Sequence, residues 1–335
     1  MDHALIAVGA VILTAMIFDY TNGFHDAANA IATSVSTRAL TPKVALAVAA
    51  VGNLLGSYLG ARVAATVGEG LVTLPRGVGS LGVVFAALLG AIAWNLLTWY
   101  FGLPSSSSHA LFGGLVGAAV FAAGGVVHWA VIARKVALPM VLSPLVGFCL
   151  GYLLMIVLLW AFRRGSPTRL GRGFRVAQSM SAFAMALGHG MQDAAKTIGV
   201  IVLALYTGGF QQSRTAIPIW VFFTSASVLA LGTYAGGWRI IRTLGRKVIA
   251  LGPAEGFTAQ TVSSSVLYFN SLVLGAPIST THTITSAVMG VGSTKRLSAV
   301  RWGVAGNIAG AWLLTFPAAG ALALLAYLIA GRMFT

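Results

Sequence analysis

The feature that most constrains this chain is a series of apolar runs, each long enough to cross about 30 Å of hydrocarbon. They lie near 4–22, 44–67, 80–101, 137–162, 177–205, 216–236, 258–276 and 303–331. Two further apolar segments, 105–125 and 278–292, open with clusters of hydroxyl side chains. Of the 335 residues, 58% are hydrophobic and 8% charged, whereas a soluble domain carries about 25% charged residues. Runs of this length predict an all-α polytopic membrane protein. Residues 1–16 have no basic n-region and no clear cleavage site, so they are expected to begin the first membrane helix rather than form a cleaved signal peptide.

The formal charge of +15 comes from 21 basic and six acidic residues. The basic residues sit at the ends of apolar runs, which points to membrane orientation and excludes nucleic acid as the expected partner. Four clusters are expected in the cytoplasm: Arg38 with Lys43, the run at 163–175, the run at 239–247, and Lys295, Arg296 and Arg301. Five crossings per half put all four inside and both termini outside, and leave Arg134, Lys135 and Arg214 external. Tryptophans 94, 99, 129, 160, 220, 238 and 302 are expected to anchor helix ends at the interface. Cys149 stands alone, so an intrachain disulfide is excluded, and its apolar neighbours predict a buried thiol.

The chain repeats itself. The stretch at 22–30 contains Asn22, His25, Asp26 and Asn29, and its echo at 188–196 contains His189, Gln192, Asp193 and Lys196. Aligning Asp26 with Asp193 pairs Asn22 with His189 and Asn29 with Lys196. A second motif follows in each half: Pro104, Ser105, Ser106, Ser107, Ser108, His109, and then Pro277, Ile278, Ser279, Thr280, Thr281, His282. From acid to histidine the spacing is 83 residues in one half (26 to 109) and 89 in the other (193 to 282). The expected organisation is a first inverted repeat at 1–162, a basic cytoplasmic linker at 163–176 and a second inverted repeat at 177–335, with about ten membrane segments in total. Inverted repeats with broken helices and re-entrant, hairpin-like segments are the pattern of secondary transporters, whose site lies between the repeats near the bilayer midplane.

Polar chemistry is concentrated in these motifs, since four of the six histidines belong to them. A carboxylate in hydrocarbon is costly and is by default a functional candidate. Asp26 and Asp193, with the neutral oxygens of Asn22, Asn29 and Gln192, are candidates for holding a coupling cation; the structural alternative is a hydrogen bond that locks a helix break. Asp19 has no counterpart in the second half and is expected to pair or pack.

A proline followed by hydroxyls suits a helix start, where Ser or Thr caps free N–H groups. Such a terminus carries partial positive charge and binds anions. Ser106, Ser107, Ser108 and His109, with Ser279, Thr280, Thr281 and His282, are therefore candidate ligands of a tetrahedral oxyanion. His109 and His282 could donate to the anion, carry a proton or fasten the hairpin, and His25 and His189 could relay protons or act structurally. Lys196 can pair with Asp193 three residues earlier, so the two ion sites are not chemically equal. The glycine runs at 113–117 and 290–292 fit close helix packing better than nucleotide binding.

Residues 22–33 and 189–196 resemble the two signatures of the inorganic phosphate transporter (PiT) family, and 104–109 and 277–282 resemble its two hairpin motifs. The resemblance spans roughly 4–331 and is closest to bacterial low-affinity members. It implies symport of inorganic phosphate with H⁺ or Na⁺, in some members as a neutral complex with a divalent metal, by a homodimer in the plasma (inner) membrane. Many members carry a glutamate in the helix after each signature, and the matching positions here are Asn53 and Gln260. These amides join His25, His189 and Lys196 as secondary polar sites.

The expected function is thus phosphate import by cation symport, with no cofactor and no dedicated protein-bound metal. Sulfate or another tetrahedral oxyanion is the alternative substrate. A membrane hydrolase built on Ser108 and His109 is disfavoured, because adjacent residues on a helix point about 100° apart and a single active site needs no duplicate. A channel is disfavoured because paired half-sites suit alternating access.

Overall fold

A computed structural model describes residues 2–122 and 125–334. The first half contains α1 (Asp2–Ser36), α2 (Pro42–Ser57), α3 (Ala61–Gly70), α4 (Val78–Phe101), α5 (Ser107–Ala119), a short α6 (Trp129–Ile132) and α7 (Leu138–Ala161). The second contains α8 (Pro167–Thr207), α9 (Ile219–Ala235), α10 (Trp238–Arg242), α11 (Pro253–Tyr268), α12 (Thr280–Ser293) and α13 (Trp302–Ala330). Single π-helical turns at Ala133–Ala137, Thr243–Lys247 and Phe269–Leu274 extend α6, α10 and α11. The all-α expectation meets one small exception, an antiparallel pair of β1 (Val72–Thr73) with β2 (Val126–Val127).

Among the described residues, four helices are long and apolar enough to cross a membrane: His3–Ser36, Val78–Phe101, Trp129–Ala161 and Trp302–Ala330. Two helix pairs, α2 with α3 and α9 with α10, bend by 67° and 58° and raise the number to six if each is one span. In the most apolar windows of α6–α7 and of α13, only 22% and 17% of residues are buried, so these helices turn leucine, isoleucine and valine outward. α5 and α12, by contrast, are covered on almost every face.

The halves interleave. α1 packs on α9, α8 on α2, α5 on α13, and α12 on α7. Glycine makes each approach possible. A Cβ at Gly190 would collide with the Asn53 backbone, one at Gly113 with the Phe316 carbonyl, and one at Gly290 with the Phe148 carbonyl. Small residues that let backbones meet are the usual means of helix association in a bilayer, where apolar side chains gain little from leaving lipid.

Four expectations need correction. The signatures do not interrupt their helices: α1 and α8 run unbroken through 22–30 and 188–196, and the bends fall at α2–α3 and α9–α10 instead. The stretch expected as a linker is mostly helix, because Pro167 sits at the first turn of α8, where its missing N–H costs nothing, and only a short turn precedes it. Cys149 is exposed on α7, since in a bilayer apolar neighbours mark a lipid-facing side as readily as a buried one. Trp94 lies within α4, bonded to Thr315, while Trp99, in the last turn of α4 and packed on Phe24, and Trp129, Trp160, Trp220, Trp238 and Trp302 do sit at helix ends. The expected segment 105–125 includes residues 123 and 124, which lie outside the described residues.

Gly290→Val is expected to destabilise the protein by about 1–3 kcal/mol or more through overpacking against α7. Gly306→Val, at a position with nothing within 4 Å, is expected to be neutral. Thermal unfolding of the two variants in detergent checks the pair, and equal midpoints would refute this role for Gly290.

Candidate substrate and ion site

Two matching hairpins form the centre. α4 ends at Gly102 with φ 66°, and the π turn after α11 ends at Gly275 with φ 58°. Both are left-handed conformations that glycine adopts without steric cost. Two residues later each chain reaches a proline, Pro104 or Pro277, and becomes extended. Ser106 then caps α5 by accepting the His109 N–H at 3.3 Å, and Ser279 caps α12 by accepting the His282 N–H at 3.2 Å. The two helix starts face each other: the imidazoles of His109 and His282 lie 4.8 Å apart, and Ser108 Oγ donates to the Ile278 carbonyl at 3.4 Å. Trp312 on α13 joins the hairpins, since His282 stacks on its ring at 3.9 Å and its Nε1 donates to the Pro104 carbonyl.

The two signature acids lie against the second hairpin. Asp26 and Asp193 are both buried. Thr281 Oγ1 donates to Asp26 at 3.4 Å and Thr280 Oγ1 donates to Asp193 at 3.2 Å. Asn29 Nδ2 donates to both threonines, at 3.2 Å to Thr280 and 2.8 Å to Thr281. One amide thereby orients the two hydroxyls that bridge the acids.

Each acid also has a histidine. His25 Nδ1 lies 2.7 Å from Asp26, and its Nε2 meets Thr98 at 3.1 Å and Ser105 at 3.3 Å. His189 Nε2 lies 2.7 Å from Asp193, and its Nδ1 meets Asn53 at 2.9 Å. Lys196 adds an ammonium 2.5 Å from Asp193.

One ligand atom each from Asp26, His189 and Asp193 lies within 4.8 Å of the others. The sequence predicts no dedicated metal site, yet the fold draws a carboxylate from each half, with one imidazole, into a metal-like cluster, in which Asp193 is already engaged by His189 and Lys196. On α1 and at the start of α5, the buried Asn22 Oδ1, Asn29 Oδ1 and Ser107 Oγ have no hydrogen-bond partner.

Other sequence candidates stand one step back. Gln192 spends its amide on the second hairpin, donating to Ser271 and the Ala276 carbonyl and accepting from the Ile278 N–H. It fixes the hairpin and has no hydrogen bond to either acid. Asn53 joins His189 to Thr233, and Gln260 joins Ser181 to the Ala30 carbonyl on α1. Asp19 accepts from Thr197 and Ser225, as expected of an acid that pins helices together. Sequence reasoning missed Thr98, Ser271 and Trp312. No motif marks them, and each is brought in by an element remote in sequence from what it touches. Ser105 was within reach, being the first hydroxyl of its motif.

A family model described as the phosphate transporter family matches residues 22–323. The chain belongs to that family. Among curated relatives, a probable low-affinity inorganic phosphate transporter of Rhizobium meliloti (strain 1021) is 47% identical over 322 residues, covering 96% of this chain and 95% of that one. A protein of the same description from Bacillus subtilis (strain 168) is 40% identical, with full coverage of both chains. A solved structure titled the sodium-dependent phosphate transporter has a TM-score of 0.90 at 22% identity, covering 98% of this chain and all of that one. The fold is therefore shared. This family member is a multi-pass membrane transporter and not an enzyme.

The Asp193–Lys196 pair is sealed from water, and removing one partner strands the other charge. Asp193→Asn is expected to cost about 3–5 kcal/mol. Thermal unfolding in detergent measures the loss, and the double variant D193N/K196Q, which strands neither charge, is expected to recover most of it. A D193N protein as stable as the parent would show that the pair carries no such weight.

Proposed function

We propose that this chain imports inorganic phosphate across the plasma membrane by symport with a monovalent cation, H⁺ or Na⁺. One observation carries the reading: two hydroxyl-bearing helix starts, one from each half, converge beside the two buried acids. A helix N-terminus offers N–H donors and partial positive charge to an oxyanion without a formal counter-charge. Ser107, whose hydroxyl is unpartnered, and the threonines of the second hairpin are assigned to that anion.

The fixed charges explain the need for a cation. Asp26 and Asp193 set two carboxylates against the one ammonium of Lys196, each acid with an imidazole at 2.7 Å, so with neutral imidazoles an anion would enter a site that is net negative. In a water-poor interior that repulsion is far larger than in solution. A cation held at Asp26, among the oxygens of Asn22 and Asn29, neutralises the excess and makes anion entry conditional on cation entry.

The order of elements supports inverted repeats. Each half supplies a first helix, a bent pair, a long helix ending in left-handed glycine, a buried hairpin helix and an outward-facing last helix. Counted this way there are five segments per half and ten in all, and an odd number inverts the second half. The basic clusters also gather at one end. Thr37 beside Arg38 donates to Gln178, three residues past Arg175 on α8, the Arg301 N–H donates to the Val248 carbonyl, and Lys295 pairs with Glu255 at 2.6 Å. We assign that end to the cytoplasm.

Uptake of labelled phosphate into proteoliposomes, with pH and Na⁺ gradients imposed separately and with or without a divalent metal, tests the reading and identifies the driving ion and the form of the substrate. Asp26→Asn is expected to abolish concentrative uptake while the protein still reaches the membrane, and parental uptake by D26N would overturn the cation assignment. Ser107→Ala and Thr280→Ala are each expected to raise the apparent KM for phosphate by about tenfold, the equivalent of one lost hydrogen bond to a charged group. Unchanged values in both would remove the anion site from the hairpins. A homodimer is proposed for the detergent-solubilised protein. Light scattering is expected to give twice the 34.5 kDa chain mass, and the mass of one chain would overturn it.

A further inference from the structure

Lys196 and Asn29 occupy equivalent places. Aligning the signatures pairs them, and aligning the hairpin motifs pairs Ser108 with Thr281. The structure repeats both equivalences in space. Asn29 Nδ2 donates to Thr281 Oγ1 at 2.8 Å, and Lys196 Nζ donates to Ser108 Oγ at 2.5 Å. Each side chain reaches from the first helix of its own half to the matching hydroxyl of the other half's hairpin. One brings a neutral amide beside its acid, the other a positive charge.

The surroundings of that charge are those of a bound ion. Lys196 Nζ contacts a carboxylate oxygen of Asp193 at 2.5 Å, the Ser108 hydroxyl, and the Ile278 carbonyl at 3.1 Å. Carboxylate, hydroxyl and carbonyl are the oxygen types that coordinate small hard cations. Three acceptors match the three protons of an ammonium, which leaves none to donate to an anion. The side chain is 2% exposed, so no exchange with bulk ions is needed to keep the place filled. At the other acid the partner is His25, with no hydrogen-bond partner at Asn22 Oδ1 and Asn29 Oδ1 nearby.

We propose that the Lys196 ammonium is a tethered cation that permanently fills the second of two equivalent cation sites, so that the chain couples one mobile cation fewer per phosphate than its two acids would otherwise demand. This inference rests on the symport reading above. The mobile ion belongs to Asp26, and Asp193 carries its own.

Lys196→Asn restores in the second half the residue found in the first, and so opens the filled site. Binding of ²²Na⁺ to purified protein in detergent with saturating phosphate reads the result. K196N is expected to bind one Na⁺ per chain more than the parent, whatever number the parent binds, and D193N/K196N is expected to give that extra ion back. K196Q repeats the first arm with a longer amide. Equal Na⁺ counts in folded K196N and parent would overturn the proposal. If neither single variant folds, the double variant decides. An Na⁺ count equal to the parent's supports the tethered ion, whereas a lower count means that Asp193 held a mobile Na⁺ and refutes it. A parent that takes up no phosphate under either gradient would refute the transport reading instead, an outcome read from flux and independent of these ion counts.

Discussion

The structure depends on the enclosure of two carboxylates where lipid surrounds the protein. Neither Asp26 nor Asp193 can be left unmatched there, and much of the polar architecture follows from that requirement. Histidines on α1 and α8, the threonines of the second hairpin, and the amide that orients those threonines all converge on the two acids. The balance is unequal. Each acid has an imidazole, but Asp193 alone also has a covalently attached ammonium, and on the proposed reading this inequality leaves Asp26 to take the soluble ion.

On the proposed reading the hairpins answer the opposite problem, which is how to hold an anion beside acids. Left-handed Gly102 and Gly275 end long helices abruptly, and the prolines that follow keep the chain extended for a few residues. The capping serines then begin new helices with their N-termini at the centre. Positive potential is supplied by peptide dipoles rather than by side-chain charge, so it adds no formal positive charge for the acids to capture.

Much of this was legible in the sequence. The two motifs and their repetition located the acids, the hydroxyls and the helix starts. The proline-hydroxyl pattern gave the caps because capping is local chemistry, set within three residues. What sequence missed was non-local. No local pattern shows that Gly23 serves a close approach of α1 to the backbone of α9 at Leu229 and Thr233. Trp312, read as neither site nor anchor, joins both hairpins from the last helix. Apolar context could not tell a lipid-facing Cys149 from a buried one, because the bilayer reverses the usual meaning of an apolar neighbourhood.

The interleaving of the halves has a consequence for how the protein is made. Asp26 is synthesised 255 residues before Thr281, which donates to it. At 5–20 residues per second this leaves a gap of roughly 13–50 s. During that interval α1 has entered or approached the bilayer with an acid whose threonine partners do not yet exist. Only His25, on the same helix, is present from the start. The neighbouring imidazole is thus the one hydrogen-bond partner of Asp26 that the chain supplies without waiting for the second half.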